Sequence, residues 1–287
     1  MSRVSKRDHI LVGLDIGTTK ICAIVAEVPE EGPLNIIGVG SCPSRGLRKG
    51  VVVNIESTVE SIKKAVEEAE LMAAVQINSV YTGIAGSHIS GENLKGVVAL
   101  KKQEVTREDI SRAVESARTL AVIPHERRIL HVIPREFMVD DQEGVRDPLG
   151  MSGNRLEVNV HVITGAVTSA QNIIKSVNRA GLDVVDIILQ PLASSEAVLS
   201  AEERELGVAM VDLGGGTTDL AIFLDGSIRH TAVLPIGGQN LTKDLAIGLL
   251  TSQTDAEKIK VQHGIARTEL VHGHQMVEVP SVGDRPP

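Results

Sequence analysis

The chain has 287 residues, with 37 acidic against 29 basic, a formal net charge of −8, and 42% apolar residues. A chain of this length outgrows one hydrophobic core, so two or more domains or subdomains are expected. The dispersed charge, with no Lys/Arg block, argues against nucleic acid as the main partner. No run reaches the roughly 18 apolar residues that a bilayer span requires, and MSRVSKRDHI lacks the apolar stretch of a signal peptide. Cys22 in an apolar run and Cys42 in a loop-like stretch point to a reducing compartment, with the cytoplasm as the expected location. With no Trp, one Tyr and two Phe, the core must be filled by Val, Ile, Leu and Ala, which suits buried strands covered by helices.

Residues 10–14 and 21–27 read as buried strands flanking a turn and 35–40 as a third, so a β-meander opens the chain. From Asn54, the apolar positions Val59, Ile62, Val66, Ala69 and Ala73 recur at helical spacing and predict a helix covering that sheet, with a strand at 78–85 after it. Thr106 and Asp109 form a capping-box pattern ahead of Ile110, Ala113, Val114 and Ala117, which opens a second helix. Strands are expected at 128–133 and 156–165, separated by the polar, turn-rich stretch from Asp140 to Gly153. Thr168 and Gln171 match another capping box, with Ile173, Ile174 and Val177 as the apolar stripe and Gly181 as the stop. A strand at 184–189 precedes Pro191, which suits the first turn of a helix running to about Glu203, and strands at 207–211 and 220–224 follow. The stretch 251–287 shows no strong periodicity. This alternation means α/β.

One plan occurs twice: LDIGTTK at 14–20 and VDLGGGTTD at 211–219 each join two apolar strands through an aspartate and a glycine and hydroxyl turn. One such copy is accounted for by a tight hairpin; two indicate an internal duplication. Glycines let a backbone approach phosphate closely, and N–H groups with Thr hydroxyls donate to its oxygens. A carboxylate beside a polyphosphate is repelled, so Asp15 and Asp212 are assigned to Mg²⁺, held through water because that ion dehydrates reluctantly. Lys20 adds a point charge toward the phosphates. Two facing hairpins imply two lobes around a nucleotide.

These loops resemble the phosphate loops shared by actin, sugar kinases and heat-shock chaperones. The stretches NIIGVGSCPSRGLRKGVVVNIES, RRILHVIPREFMVDDQEGVRDPLGMSG and ELGVAMVDLGGGTTDLAIF closely resemble the FtsA family of bacterial cell-division proteins, proteobacterial type, in a similarity running from about residue 8 to 287. The resemblance implies an α/β, actin-like (ribonuclease H-like) two-lobed fold with duplicated β-sheet/helix subdomains and an incomplete second lobe. It implies subdomain 1A at 1–84 and 164–196, the division-specific insertion 1C at 85–163, the start of 2A at 197–226 and part of 2B at 227–287. It places Gly17, Thr18, Thr19 and Lys20 on one side of the phosphates and Gly214, Gly215, Gly216, Thr217 and Thr218 on the other. Glu257 and Lys260 match the family's ribose and adenine contacts, and Gly237 and Gly238 the turn that opens the helix after the second loop. The implied cofactors are ATP and Mg²⁺. The implied role is an ATP-binding adaptor that polymerises through 1C and 2B and binds the tubulin-like protein FtsZ. It would link FtsZ to the cytoplasmic face of the inner membrane and help recruit later divisome membrane proteins. A pilus-assembly adaptor and a small-molecule kinase of the same superfamily stay open as alternatives, although Tyr81, Phe137 and Phe223 offer little for stacking a sugar.

Many relatives carry a Glu before the Pro of the connecting helix to position the attacking water, whereas this chain has Gln190. An amide is a poor base, so at most slow ATP hydrolysis is expected, with Asp219 as the next catalytic candidate. The family's adenosine loop and amphipathic membrane helix follow the position of Pro287, so this chain is not expected to bind bilayers by itself. His263, His272 and His274 lack a metal-site spacing, and His125 and His131 bracket a basic segment expected to be a solvated turn.

Overall fold

The computed structural model describes residues 10–271, 273 and 276–280. His272, His274 and the closing SVGDRPP at 281–287 lie outside the described residues. The chain forms two compact units, Met1–Pro235 and Ile236–Pro287.

In the first unit, β1 (Ile10–Ile16), β2 (Lys20–Glu27) and β3 (Asn35–Pro43) form the expected antiparallel meander. Cys42 belongs to β3, opposite Ile21, and not to a loop, because the β2 pairing carries the strand on to Pro43. A small hairpin, β4 (Leu47–Arg48) and β5 (Val51–Val52), leads to α1 (Ile55–Ala73), whose N-cap Asn54 side chain accepts the Ser57 N–H at 3.0 Å. β6 (Ser79–Ile84) then adds in parallel beside β1. Strand alternation turns Val12, Leu14, Ile16, Ile21, Ala23 and Val25 toward Ile62, Ala65 and Ala69 of α1. The layers meet closely because Gly40 bares the β3 backbone: a Cβ there would sit 1.9 Å from Ala65 O. Close small-residue contact between strand and helix is how a core so poor in aromatics reaches native density.

An inserted layer follows, made of β7 (Ser90–Ala99), α2 (Arg107–Leu120), β8 (Arg127–Val139), β9 (Gln142–Val145) and β10 (Arg155–Ala166). Its sheet order is β7-β10-β8-β9. The capping box at α2 forms as the sequence predicts: the Thr106 hydroxyl accepts the Asp109 N–H, and the Asp109 carboxylate accepts the Thr106 N–H at 3.0 Å. Ala113 and Ala117 pack over Gly96, repeating the α1–β3 device.

Then come α3 (Val167–Arg179), β11 (Asp183–Leu189), α4 (Gln190–Val198) and α5 (Ala201–Leu206). Two sequence expectations fail here. Thr168 caps nothing: β10 runs straight into α3, the N-cap is Ala166, and the Val167 N–H is already taken by Glu126 O at 2.9 Å. The helix after Pro191 also stops at Val198, because Ser200 and Glu203 form a reciprocal capping box that starts α5. β11 completes a five-stranded sheet of order β11-β6-β1-β2-β3.

A separate three-stranded sheet is β12 (Val208–Leu213), β13 (Thr218–Leu224) and β14 (Ser227–Leu234), all antiparallel. Met210, Ala221, Phe223 and Ile228 pack there against Leu192 and Leu199. The inserted layer is stitched to this sheet by buried His161, whose Nδ1 donates to Asn93 Oδ1 at 2.7 Å while Nε2 accepts from the Thr231 hydroxyl at 2.9 Å. The second unit contains α6 (Gly238–Gly248) and α7 (Gln253–His263), the latter within a stretch where no periodicity was legible.

Candidate nucleotide site

The two duplicated hairpins carry the same four-residue turn. Gly17 N–H donates to Lys20 O at 3.0 Å, and Gly214 N–H donates to Thr217 O at 2.9 Å. Register equates Asp15, opposite Cys22, with Asp212, opposite Asp219. Lys20 therefore stands where Thr217 does, and the threonine pairs are out of step: Thr18 and Thr19 lie in the first turn, whereas Thr218 opens β13. The two extra glycines of the second copy, Gly215 and Gly216, fill the turn positions that the first gives to Thr18 and Thr19.

The hairpin tips touch. A Cβ on Gly215 would lie 2.1 Å from Thr19 Cγ2, and one on Gly216 2.7 Å from Thr18 Oγ1. The first tip is braced from behind, since Thr18 Oγ1 accepts the Gly50 N–H and Thr19 O accepts the Ser44 N–H, each at 3.0 Å.

Beside the tips lies a cavity of about 650 Å³, within the range of small-molecule sites. Asp15, Gly17, Thr18, Thr19, Lys20, Gln190, Asp212, Gly214, Gly215, Thr217 and Asp219 all line it, so most of the residues picked from the sequence share one wall system. Burial raises the Asp15 carboxyl above its ordinary value, with Asp212 adding to the rise and Lys20 opposing it. Burial pushes Asp219 up to about 6, against the Thr217 hydroxyl bonded to it and with help from Asp212 and Asp15. Gln190 Nε2 donates to Asp15 Oδ1 at 2.6 Å, and Ser194 Oγ donates to Asp212 Oδ2 at 3.2 Å.

Two buried polar atoms of cavity-lining residues, Asp219 Oδ1 and Thr82 Oγ1, have no hydrogen-bond partner. Buried polar atoms are costly when unpaired, and crowded carboxylates attract a cation. No group of three or more ligating side chains among the described residues is arranged to hold a metal directly. Asp15, Asp212 and Asp219 offer oxygen ligands of the kind Mg²⁺ takes, directly or through the water it keeps.

Of the other picked residues, Gly216 packs against Thr18 and Thr218 opens β13, neither lining the cavity, and the rest belong to the second unit. Gly237 N–H donates to Asn240 Oδ1 at 3.1 Å and opens α6 with Gly238. Lys260 Nζ donates to Glu257 Oε2 within α7 at 2.7 Å and to Thr242 Oγ1 and Gly238 O at 2.9 and 3.2 Å, the last two tying α7 to α6.

Sequence reading passed over Ser194 and Thr82. Ser194 is four residues beyond Gln190 on one helix, a spacing that places both on the same face and offered a usable signal. His131 lies in β8, within the strand expected at 128–133, and is half-buried rather than part of a solvated turn: it accepts the Leu189 N–H.

A model described as an SHS2 domain inserted in FtsA matches residues 86–164, and one described as cell division protein FtsA matches residues 209–287. Cell division protein FtsA of Pseudomonas aeruginosa is 53% identical over 278 residues, covering 97% of this chain and 66% of that protein. FtsA of Borreliella burgdorferi is 45% identical over 282 residues, covering 97% and 68%.

The chain belongs to the FtsA family of cell division proteins.

It spans 66% of the length of FtsA from Escherichia coli K12, to which it is 50% identical. Among solved structures, a PilM–PilN type IV pilus biogenesis complex aligns with a TM-score of 0.66 at 20% identity, covering 88% of this chain and 70% of that one. The ethanolamine utilization protein EutJ from Carboxydothermus hydrogenoformans aligns at 0.51 and 18% identity, covering 88% and 61%. At such identities these likenesses show the fold alone, which is α/β and actin-like. The inserted-domain match to this family spans β7, α2, β8, β9 and most of β10, and so includes His131.

Proposed function

We propose that this FtsA-family protein binds Mg²⁺-ATP in the cavity beside the paired hairpins and uses the nucleotide as an assembly ligand in the division machinery. The observation that carries this reading is the convergence of both duplicated turns and of Asp15, Asp212 and Asp219 on one cavity. Gly17, Thr18, Thr19 and Lys20 would face the phosphates from one side and Gly214, Gly215, Gly216, Thr217 and Thr218 from the other. Asp15 and Asp212 would hold the hydrated ion, whose charge offsets the crowding of carboxylates and polarises the terminal phosphate. Glu257 and Lys260 would serve the ribose and adenine, with Gly237 and Gly238 at the turn before them. In this reading 1C is the inserted layer, and 1A is the five-stranded sheet with its helices.

Turnover is slow in this proposal. Gln190 spends its amide on Asp15 and brings no carboxylate to activate water, which leaves Asp219 as the base within reach. ATP then acts by its greater affinity for one arrangement of the molecule, favouring filaments of this protein and its attachment to FtsZ at the cytoplasmic face of the inner membrane, where later divisome proteins join. Co-sedimentation with FtsZ filaments, with and without Mg²⁺-ATP, tests the reading, alongside direct ATP titration. Nucleotide-dependent pelleting is expected; binding of ATP with no effect on pelleting would refute the assembly role, and no ATP binding would refute the site.

A further inference from the structure

The N-terminal end of α4 is held from two sides. β11 is the outer strand of the five-stranded sheet, so N–H groups on its open edge need partners from elsewhere. At Leu189, fully buried and the N-cap residue of α4, that partner is His131 of the inserted layer: Nε2 accepts the Leu189 N–H at 3.0 Å. No side chain caps this helix, so the imidazole contact is the fixed point at its start. The next residue, Gln190, lines the cavity and donates to Asp15 at 2.6 Å. Its side chain lies against bare β6 backbone, since a Cβ on Gly83 would be 2.8 Å from Gln190 Cγ.

We infer that His131 is a positioning residue that couples the inserted layer to the nucleotide pocket, holding Leu189 at the head of α4 so that Gln190 stays on Asp15. The inference rests on the nucleotide reading above. A ring that accepts at Nε2 must be neutral there, and burial keeps this imidazole below its ordinary 6.5 against the opposing charge of Asp186 on β11. Coupling of this kind is reciprocal. A partner that shifts β8 changes nucleotide affinity, and nucleotide that engages Gln190 or Asp15 pulls on β8.

Three measurements on the whole chain test this. In the unaltered protein, imidazole ¹⁵N shifts should report His131 protonated at Nδ1 with Nε2 accepting; the Nε2–H tautomer overturns the proposal without any variant. Hydrogen exchange without nucleotide should show faster exchange over residues 189–193 in His131→Leu, and near-native protection in His131→Gln, whose amide oxygen offers an acceptor at similar reach. Affinity for a fluorescent ATP analogue with Mg²⁺ should fall about three- to tenfold in His131→Leu, the weight of one hydrogen bond, and return to within about twofold in His131→Gln. Equal loss in both variants, or no loss in a folded His131→Leu, refutes the coupling. Should the unaltered chain bind no analogue, the nucleotide reading falls; the tautomer and exchange results still decide whether His131 positions α4.

Discussion

The contact between the hairpin tips can be measured on its own. Gly215 has no positive φ, so Gly215→Ala strains the protein only by volume. The new Cβ would meet Thr19 Cγ2 at 2.1 Å, Oγ1 at 3.0 Å and Cβ at 3.1 Å, where carbon pairs rest at about 3.5–4.0 Å. That overlap exceeds what rotating a stiff β-branched side chain relieves, so part of the strain passes to the hairpin backbone. Overpacking of this size costs about 1–3 kcal/mol. In a Thr19→Ala background the two closest atoms are gone and only the contact with Cβ at 3.1 Å remains. The cost of Gly215→Ala should then drop by about half or more, which is a coupling of roughly 1 kcal/mol in a double-mutant cycle. Urea unfolding of the four proteins, with unchanged m-values, reads the cycle, and ATP titration of the same set reads the consequence for the pocket. Additivity within about 0.3 kcal/mol would refute the claim that the tips touch.

Gln190→Glu, in a chain extended to the length of its relatives, should raise steady-state phosphate release at least about tenfold; an unchanged rate with ATP binding intact would move the base role to Asp219. Asp212→Ala should weaken Mg²⁺-ATP binding more than ATP binding measured in chelator, and equal losses would point to a structural role. Hydrogen bonds from Thr106 and Arg112 hold the Asp109 carboxyl down at about 2 from an ordinary 3.8. A depressed pKa stabilises the fold above the ordinary value and loses that contribution as pH falls from about 4 to about 2. Asp109→Asn should flatten this part of the stability–pH curve, and an identical acid limb would contradict the capping role. Thr106→Ala should cost about 0.5–2 kcal/mol at neutral pH, read from the unfolding midpoint.

Wherever local chemistry decides the outcome, the residues alone were enough. The apolar alternation of β1 and β2 and the 3.6-residue stripe of α1 are local periodicities, and the Thr106–Asp109 box closes within one turn. The two aspartate and glycine turns are short enough for spacing to define them, and the long stretches around them pointed to the family. β7 and β14 were less legible: only Gly96 of the one and Ile228 and Thr231 of the other are buried, which leaves little apolar alternation to read. α7 is largely polar and is anchored by Lys260 to α6, a contact that periodicity does not report. Tertiary structure alone decided that β10 runs on into α3, whose first N–H goes to Glu126 O, and that Gly215 and Gly216 yield room to Thr18 and Thr19. It alone brought the hairpin end of Asp212 and Asp219 to the cavity that Asp15 lines, and put His131 of the inserted layer against Leu189. These are contacts between segments far apart in the chain, and a one-dimensional pattern records which residues can make such contacts without recording which of them meet.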